Sequence, residues 1–166
     1  MTIKALNPAG AAFVAALVMF ATLAGAWYFQ YQLGYEPCPL CLQQRIPYYF
    51  AIPIGLAVGA LALYGAPKPL LRYGLYLLAL VLLVSVALGV YHAGVEWKLW
   101  KGPTTCGAGA PVSAPIGNIL DALKNPPRFV PCDEAAWRFL GVSLAGYNAL
   151  ISGAMTVLSV AAARKV

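Results

Sequence analysis

The chain has 166 residues, of which 61% are hydrophobic and 10% charged, with a mean hydropathy of +0.75 and a net charge of +6. Soluble domains are about 45–50% apolar and about 25% charged, and a domain of about 150 residues still leaves roughly 30% of its unfolded-chain surface in contact with solvent. This composition cannot supply that polar cover, which argues against a soluble globular enzyme, a disordered chain and a coiled coil. The length suits one integral membrane domain over residues 1–166.

The uncharged stretches set the architecture. No Asp, Glu, Lys or Arg lies between Lys4 and Glu36, between Arg45 and Lys68, between Arg72 and Glu96, or between Arg138 and Arg164. A spanning helix needs about 20 mostly apolar residues, each rising about 1.5 Å across a core about 30 Å thick. The sequence therefore predicts helices near Ala11–Gln30, Ile46–Tyr64, Tyr73–His92 and Phe139–Ala163. Helices are expected because lipid offers no partner to an unpaired backbone group. The first helix begins like a signal peptide, with Lys4, an apolar run and Ala24-Gly25-Ala26. Its uncharged run passes well beyond Ala26, so it is read as a retained span. In the second helix Pro47 falls in the first turn, where it is harmless, and Pro53 is expected to produce a kink.

Two longer loops, 31–45 and 93–138, lie on one side. The uncharged stretch between Lys101 and Asp121 belongs to the second, because Pro103, Pro111, Pro115 and its glycines break any span. Within this loop Ile116, Ile119, Leu120 and Leu123 form a helical stripe. It predicts a short amphipathic helix over Ser113–Lys124, lying on the membrane or packed on the protein. Gly- and Pro-rich arms flank it and are expected to let the loop move. The fold class is thus an all-α membrane protein, a four-transmembrane-helix bundle with one short amphipathic helix in the second outer loop.

Orientation follows from Lys and Arg. The side holding both termini carries Lys4, Lys68, Arg72, Arg164 and Lys165 without an acidic residue. The other side carries Arg45, Lys98, Lys101, Lys124, Arg128 and Arg138 together with every acid of the chain. The first side is expected to be cytoplasmic. The net charge then reads as a topology signal, with no nucleic acid as partner. Trp27, Tyr28, Tyr31, Tyr35, Trp97 and Trp100 gather near the outer interface, as aromatic belts do.

All four cysteines, Cys38, Cys41, Cys106 and Cys132, fall in the outer loops. An even count confined to the compartment where disulfides persist suggests two pairs, and the shortest loops are closed by Cys38–Cys41 and Cys106–Cys132. A bridge across two residues removes little chain entropy, so Cys38-Pro39-Leu40-Cys41 is more useful as a redox pair than as a brace. Cys41 lies near a helix start with Arg45 about one turn on, and both lower a thiol pKa. It is the candidate thiolate held at the membrane surface, while Cys38 is expected to lie further out and meet another thiol. A loop pair between mobile arms would be exposed and labile. A tetracysteine zinc site fits poorly, since the second couple is split by a long insertion, and no metal is expected.

Cys-Pro-Leu-Cys-Leu-Gln-Gln-Arg opening the second span resembles the DsbB family. So does a second cysteine pair in the next outer loop, with Cys132-Asp133-Glu134 and then Trp137-Arg138-Phe139-Leu140-Gly141 before the fourth span. The resemblance covers nearly the whole chain. Vitamin K epoxide reductases share four spans and two cysteine pairs, but there the loop pair precedes the Cys-x-x-Cys. The resemblance implies a multi-pass protein of the bacterial inner membrane with periplasmic redox loops. Its activity would be quinone-dependent oxidation of a DsbA-like periplasmic thioredoxin-fold protein, with ubiquinone or menaquinone as acceptor, and the relay to quinone is a known feature of that system. It also implies that the reduced partner attacks Cys106, that Cys132 then engages Cys38, that Cys41 faces the quinone beside Arg45, and that His92 lies near the quinone. Arg45 offers fixed donors to an oxygen gaining negative charge; otherwise it anchors the interface. His92 is equally read as an interfacial histidine with ordinary hydrogen bonds, and Glu36 as a solvated loop charge. The competing reading is a non-enzymatic assembly or transport subunit stapled by two disulfides. Spans free of Asp, Glu, Lys and Arg argue against transport.

Overall fold

The computed structural model describes residues 7–106, 128–129 and 131–166. The expected helix at 113–124 and its flanking arms lie outside the described residues.

Among the described residues, four helices are long and apolar enough to cross a membrane: α1 Pro8–Tyr31, α2 Pro39–Leu63, α3 Lys68–Glu96 and α4 Leu144–Ala163. Each begins where the sequence provides a stop to extended chain. Asn7 accepts the Gly10 N–H at 2.6 Å, ahead of Pro8 in the first turn of α1. Cys38 caps α2 ahead of Pro39, and Ser143 caps α4 by accepting the Gly146 N–H at 3.2 Å. α2 therefore starts at Pro39, well before the expected Ile46, and carries Cys41 and Arg45 on its first turns. Pro47 consequently lies in the helix interior and not in its first turn, and α2 remains one helix through both Pro47 and Pro53. α4 begins later than expected. Arg138–Phe139 and Val142–Ser143 form a two-stranded antiparallel hairpin, β3 and β4, whose turn places Leu140 and Gly141 at φ 50° and 82°. Positive φ at both central residues is the requirement of a tight hairpin turn.

α1 packs along α2, α2 on α3 and α3 on α4, and α4 returns to α1. Small residues let the backbones approach. A Cβ on Gly55 would stand 2.9 Å from the carbonyl oxygen of Ala12 and 3.0 Å from the Cβ of Ala16, so α1 and α2 touch where a side chain has no room. Ala11, Ala12, Val58, Leu75, Ala162 and Ala163 fill the half of the bundle that holds the C-terminus, and Met19, Leu78 and Leu82 the middle. Leu17, Phe20, Leu80, Leu83, Leu150 and Val157 point outward, the face a lipid solvent requires.

The segments outside the spans do one specific thing. Tyr35–Glu36 (β1) pairs in parallel with Arg128–Phe129 (β2), Tyr35 opposite Arg128 and Glu36 opposite Phe129. Both strands run toward a cysteine, Cys38 after β1 and Cys132 after β2, so the register brings the second outer segment onto the start of α2.

Candidate active site

Cys38 and Cys41 are free thiols with sulfurs 2.9 Å apart. Cys38 stands at the cap of α2, where serine or aspartate is usual, and its sulfur accepts the Cys41 backbone N–H at 3.3 Å. It is 1% exposed, more buried than Cys41. Cys38 thus lies at the very start of α2, one turn before Cys41 as expected, but it is buried there and not exposed. The hydrogen bond from the Cys41 side chain, the nearby His92 and the Cys41 backbone N–H hold the Cys38 thiol down at about 5, against burial that raises it. With both thiols free this geometry favours the thiolate on Cys38, whereas the sequence pointed to Cys41. A stabilised thiolate in the reduced form makes the corresponding disulfide more oxidising.

Cys106 and Cys132 are joined in a disulfide. Cys106 ends a short 3₁₀ turn, Thr104–Cys106, and is partly exposed, while Cys132 is 1% exposed. All four cysteines pack with Leu40 and Val95 in one cluster. The loop disulfide thus packs against the Cys38–Cys41 pair, while the Gly- and Pro-rich arms expected to let it move lie outside the described residues. Parallel pairing of β1 with β2 holds one side. An ion pair from Lys98 to Asp133, the neighbour of Cys132, holds the other. Lys98 lies just past α3 with φ 60°, a left-handed conformation rare for a residue with a side chain. It also keeps the Asp133 carboxyl below its ordinary range.

Beneath the cysteines runs a buried polar network that no local sequence pattern announced. The Asn148 Oδ1 accepts hydrogen bonds from the Tyr48 hydroxyl and from the Ser85 hydroxyl at 3.2 Å. The Ser152 hydroxyl donates to Ser85 at 3.0 Å. The Asn148 amide then donates to the Gln44 Oε1, and the Gln44 amide nitrogen faces the His92 Nδ1. Each amide is oriented by the one before it, which leaves the His92 proton on Nε2. That nitrogen lies 3.8 Å from the Cys38 sulfur and 3.9 Å from the Glu96 Oε1. His92 and Glu96 are both buried, and the second oxygen of Glu96 has no hydrogen-bond partner among the described residues. His92 is therefore buried beside Cys38, with Gln44 as its hydrogen-bond partner.

A cavity of about 410 Å³ opens beside Cys41, lined by all four helices and the β3 segment. Phe29 of α1 lies 5.7 Å from Trp137, which stacks on Phe139 at 5.8 Å, making an aromatic wall. Gln44, Arg45, His92 and Glu96 supply the polar end. The Arg45 Nη1 donates to the Gln30 Oε1 at 2.6 Å and Nη2 to the Ala26 carbonyl at 3.5 Å. These bonds fix the guanidinium at the cavity edge and engage two nitrogens of a group with five N–H donors. An apolar cleft with a few convergent polar groups fits a planar, apolar ligand with polar oxygens. Cys38, Cys41 and His92 also place their donor atoms within 4.8 Å of one another. Closing the Cys38–Cys41 disulfide would withdraw two of these donors, so the group reads as a thiol–imidazole centre. Glu36 stands at the rim of the same cavity and is exposed, as expected of a solvated loop charge.

The family model described as Disulfide bond formation protein DsbB matches residues 8–162. The chain belongs to the DsbB family. Disulfide bond formation protein B of Marinobacter nauticus is 31% identical over 147 residues, 86% of this chain and 83% of the relative. That of Azoarcus sp. is 34% identical over 143 residues, 84% and 82% of the two chains. An uncharacterized protein of Rickettsia prowazekii is 31% identical over 132 residues, 78% and 73% of the two. No solved structure matches the chain significantly. This DsbB family member is a membrane thiol oxidase of disulfide bond formation, and the reading as a stapled non-enzymatic subunit is not favoured.

Proposed function

We propose that the protein oxidises a DsbA-like periplasmic thioredoxin-fold dithiol and passes the electrons to ubiquinone or menaquinone, with both termini cytoplasmic and the two cysteine-bearing segments periplasmic. The observation that carries this reading is the β1–β2 pairing, which stacks the closed Cys106–Cys132 disulfide on the free Cys38–Cys41 pair above the aromatic cavity.

The exposures support an order. Cys106 is the accessible sulfur of its pair, and a cleft of about 540 Å³ beside it, lined by Trp100, Lys98 and Asp133, leaves room for an incoming thiolate. The partner's thiolate attacks Cys106, a mixed disulfide forms, and the Cys132 thiolate leaves on the buried side. The partner's second thiol then loses its proton and displaces Cys106, which completes the partner's disulfide. When Cys38 and Cys41 are themselves in a disulfide, Cys132 attacks the neighbouring Cys38. Cys41 leaves as a thiolate, in the cavity and near Arg45. Cys41 thus carries charge in the mixed-disulfide state and Cys38 when both thiols are free. Attack of Cys106 on Cys132 restores the loop disulfide and returns the electron pair to Cys38.

Phe29, Trp137 and Phe139 would hold the quinone ring, with Arg45 and His92 at its polar end. When bound, it supplies an acceptor for two electrons and two protons. The chain excludes water from the thiols, keeps the attacking sulfur ionised and directs fixed donors at the developing charge. The test is anaerobic mixing of the purified protein with a reduced DsbA-type protein and a soluble quinone. Loss of quinone absorbance matching the partner thiols lost supports the reading. Thiols consumed without quinone reduction, or neither change, would overturn it.

A further inference from the structure

The established chemistry leaves one buried group unused. Glu96 closes α3 one turn after His92, is 7% exposed, and has one carboxyl oxygen 3.9 Å from the His92 Nε2 and the other without a partner among the described residues. An unpaired buried carboxylate is costly, and it lines the cavity that Cys41 and Arg45 also line. Neither Arg45 nor Lys98 pairs with it. The Arg45 guanidinium is instead bonded to Gln30 and Ala26, and Lys98, two residues on, to Asp133.

We propose that Glu96, acting through His92, is the store for the proton that Cys38 gives up when the Cys38–Cys41 pair is reduced. This rests on the redox reading of that pair. In the oxidised centre Cys38 and Cys41 share a bond and Glu96 is a carboxylate. Reduction adds two electrons and two protons: the sulfur–sulfur bond breaks, one proton rests on the Cys41 thiol, the other protonates Glu96, and Cys38 remains a thiolate. The net charge of the centre is the same before and after, so no charge is gained at the membrane surface. Reoxidation returns two electrons and two protons together, as a quinone acceptor requires. The His92 Nε2–H, directed at both the Cys38 sulfur and Glu96 by the Asn148–Gln44 chain, is the path between them. Glu96 is therefore a positioning and proton-holding residue and does not touch the sulfur itself. Besides the two cysteines and His92, the other titratable or charged side chains lining this cavity are Glu36, Arg45, Glu134, Tyr35, Tyr48 and Tyr147.

The test needs neither partner protein nor quinone. A small dithiol reductant delivers two electrons and two protons, so reducing the full-length wild type at neutral pH, in weak buffer with an indicator, should leave the pH nearly unchanged. Glu96→Gln cannot store the proton and should release about one more proton per molecule reduced. The loop disulfide contributes equally in both. Glu96→Asp should restore the wild-type balance. In reduced-minus-oxidised infrared spectra the wild type should gain a protonated-carboxyl band that Glu96→Gln lacks and Glu96→Asp shifts. Equal proton release from wild type and Glu96→Gln overturns the proposal. So does a wild-type spectrum without that band, which decides the matter even if the variants fail to fold. Failure of quinone reduction with these signatures intact would overturn the proposed function instead.

Discussion

The two ends of the bundle are built on opposite principles. Toward the chain termini, Ala11, Ala12, Val58, Leu75, Ala162 and Ala163 form a dry core of small and branched side chains, each nearly or wholly buried. Toward the cysteines, Gln44, His92, Glu96, Asn148, Ser85 and Ser152 are equally buried but polar. Lipid makes the second arrangement demanding, because any unmatched polar group there has no water to turn to. It persists because the groups satisfy one another in a single chain running from Ser152 to Cys38, with one Glu96 oxygen left over among the described residues. The comparison separates two tasks: close approach at one end holds the helices together, and the polar end orients a thiolate.

If that division is right, variants at the two ends should fail differently. The largest effect is expected for Cys38→Ser, which should abolish partner-dependent quinone reduction while Cys106–Cys132 still forms. Non-reducing gels and turnover together check this, and residual turnover would mean that the loop pair bypasses Cys38. Arg45→Met should keep the fold and all cysteines but weaken the quinone step. Loss of a hydrogen bond to a charged group is worth about 1.5–3 kcal/mol, or about 10- to 150-fold. Unchanged quinone kinetics would leave Arg45 as an interface anchor.

At the opposite end, Gly55→Leu should lower stability by about 1–3 kcal/mol through overpacking, read as a lower thermal midpoint, with Cys38 reactivity unchanged. Asn148→Leu should cost about 1–2 kcal/mol and, unlike the glycine variant, also alter Cys38 reactivity because Gln44 and His92 lose their orientation. A pair of variants that behaved alike would dissolve the distinction between the ends.

The smallest effect is one of profile. With its pKa near 5 against an ordinary 9.0, Cys38 in the reduced protein is a thiolate throughout the neutral range. Its alkylation rate should stay flat from about pH 8 to 6 and fall only near 5, whereas an unperturbed thiol loses about tenfold per unit below its pKa. The sign for stability follows. A depressed folded-state pKa favours the folded reduced form fully above about 9, and that contribution declines as the pH drops through about 5. Monotonic tenfold losses through neutral pH would show that the cap does not act on Cys38.

The sequence by itself determined the number of spans and the gathering of every cysteine toward one end of them. Both follow from composition along the chain: lipid rejects charge, and no packing detail is needed to see where charge is absent. It also singled out Cys38, Cys41, Cys106, Cys132 and Arg45 by type and spacing, and His92 through the family resemblance. Helix limits were less legible. Arg45 looked like an end to the apolar run, yet α2 begins at Pro39 because Cys38 can cap it and Gln30 can receive the arginine. Glu96 had a readable signal in its place four residues after His92, on the same helix face, but counted only as the end of an uncharged stretch. Tertiary structure alone decided the rest. The partners in Gln44–Asn148, Tyr48–Asn148 and Ser85–Ser152 come from different helices, and hydrogen bonds between remote residues leave no local pattern. Likewise the stacking of one cysteine pair on the other depends on the register of two short strands far apart in the chain. Which sulfur carries the charge depends on which one the first turn of α2 places at its cap.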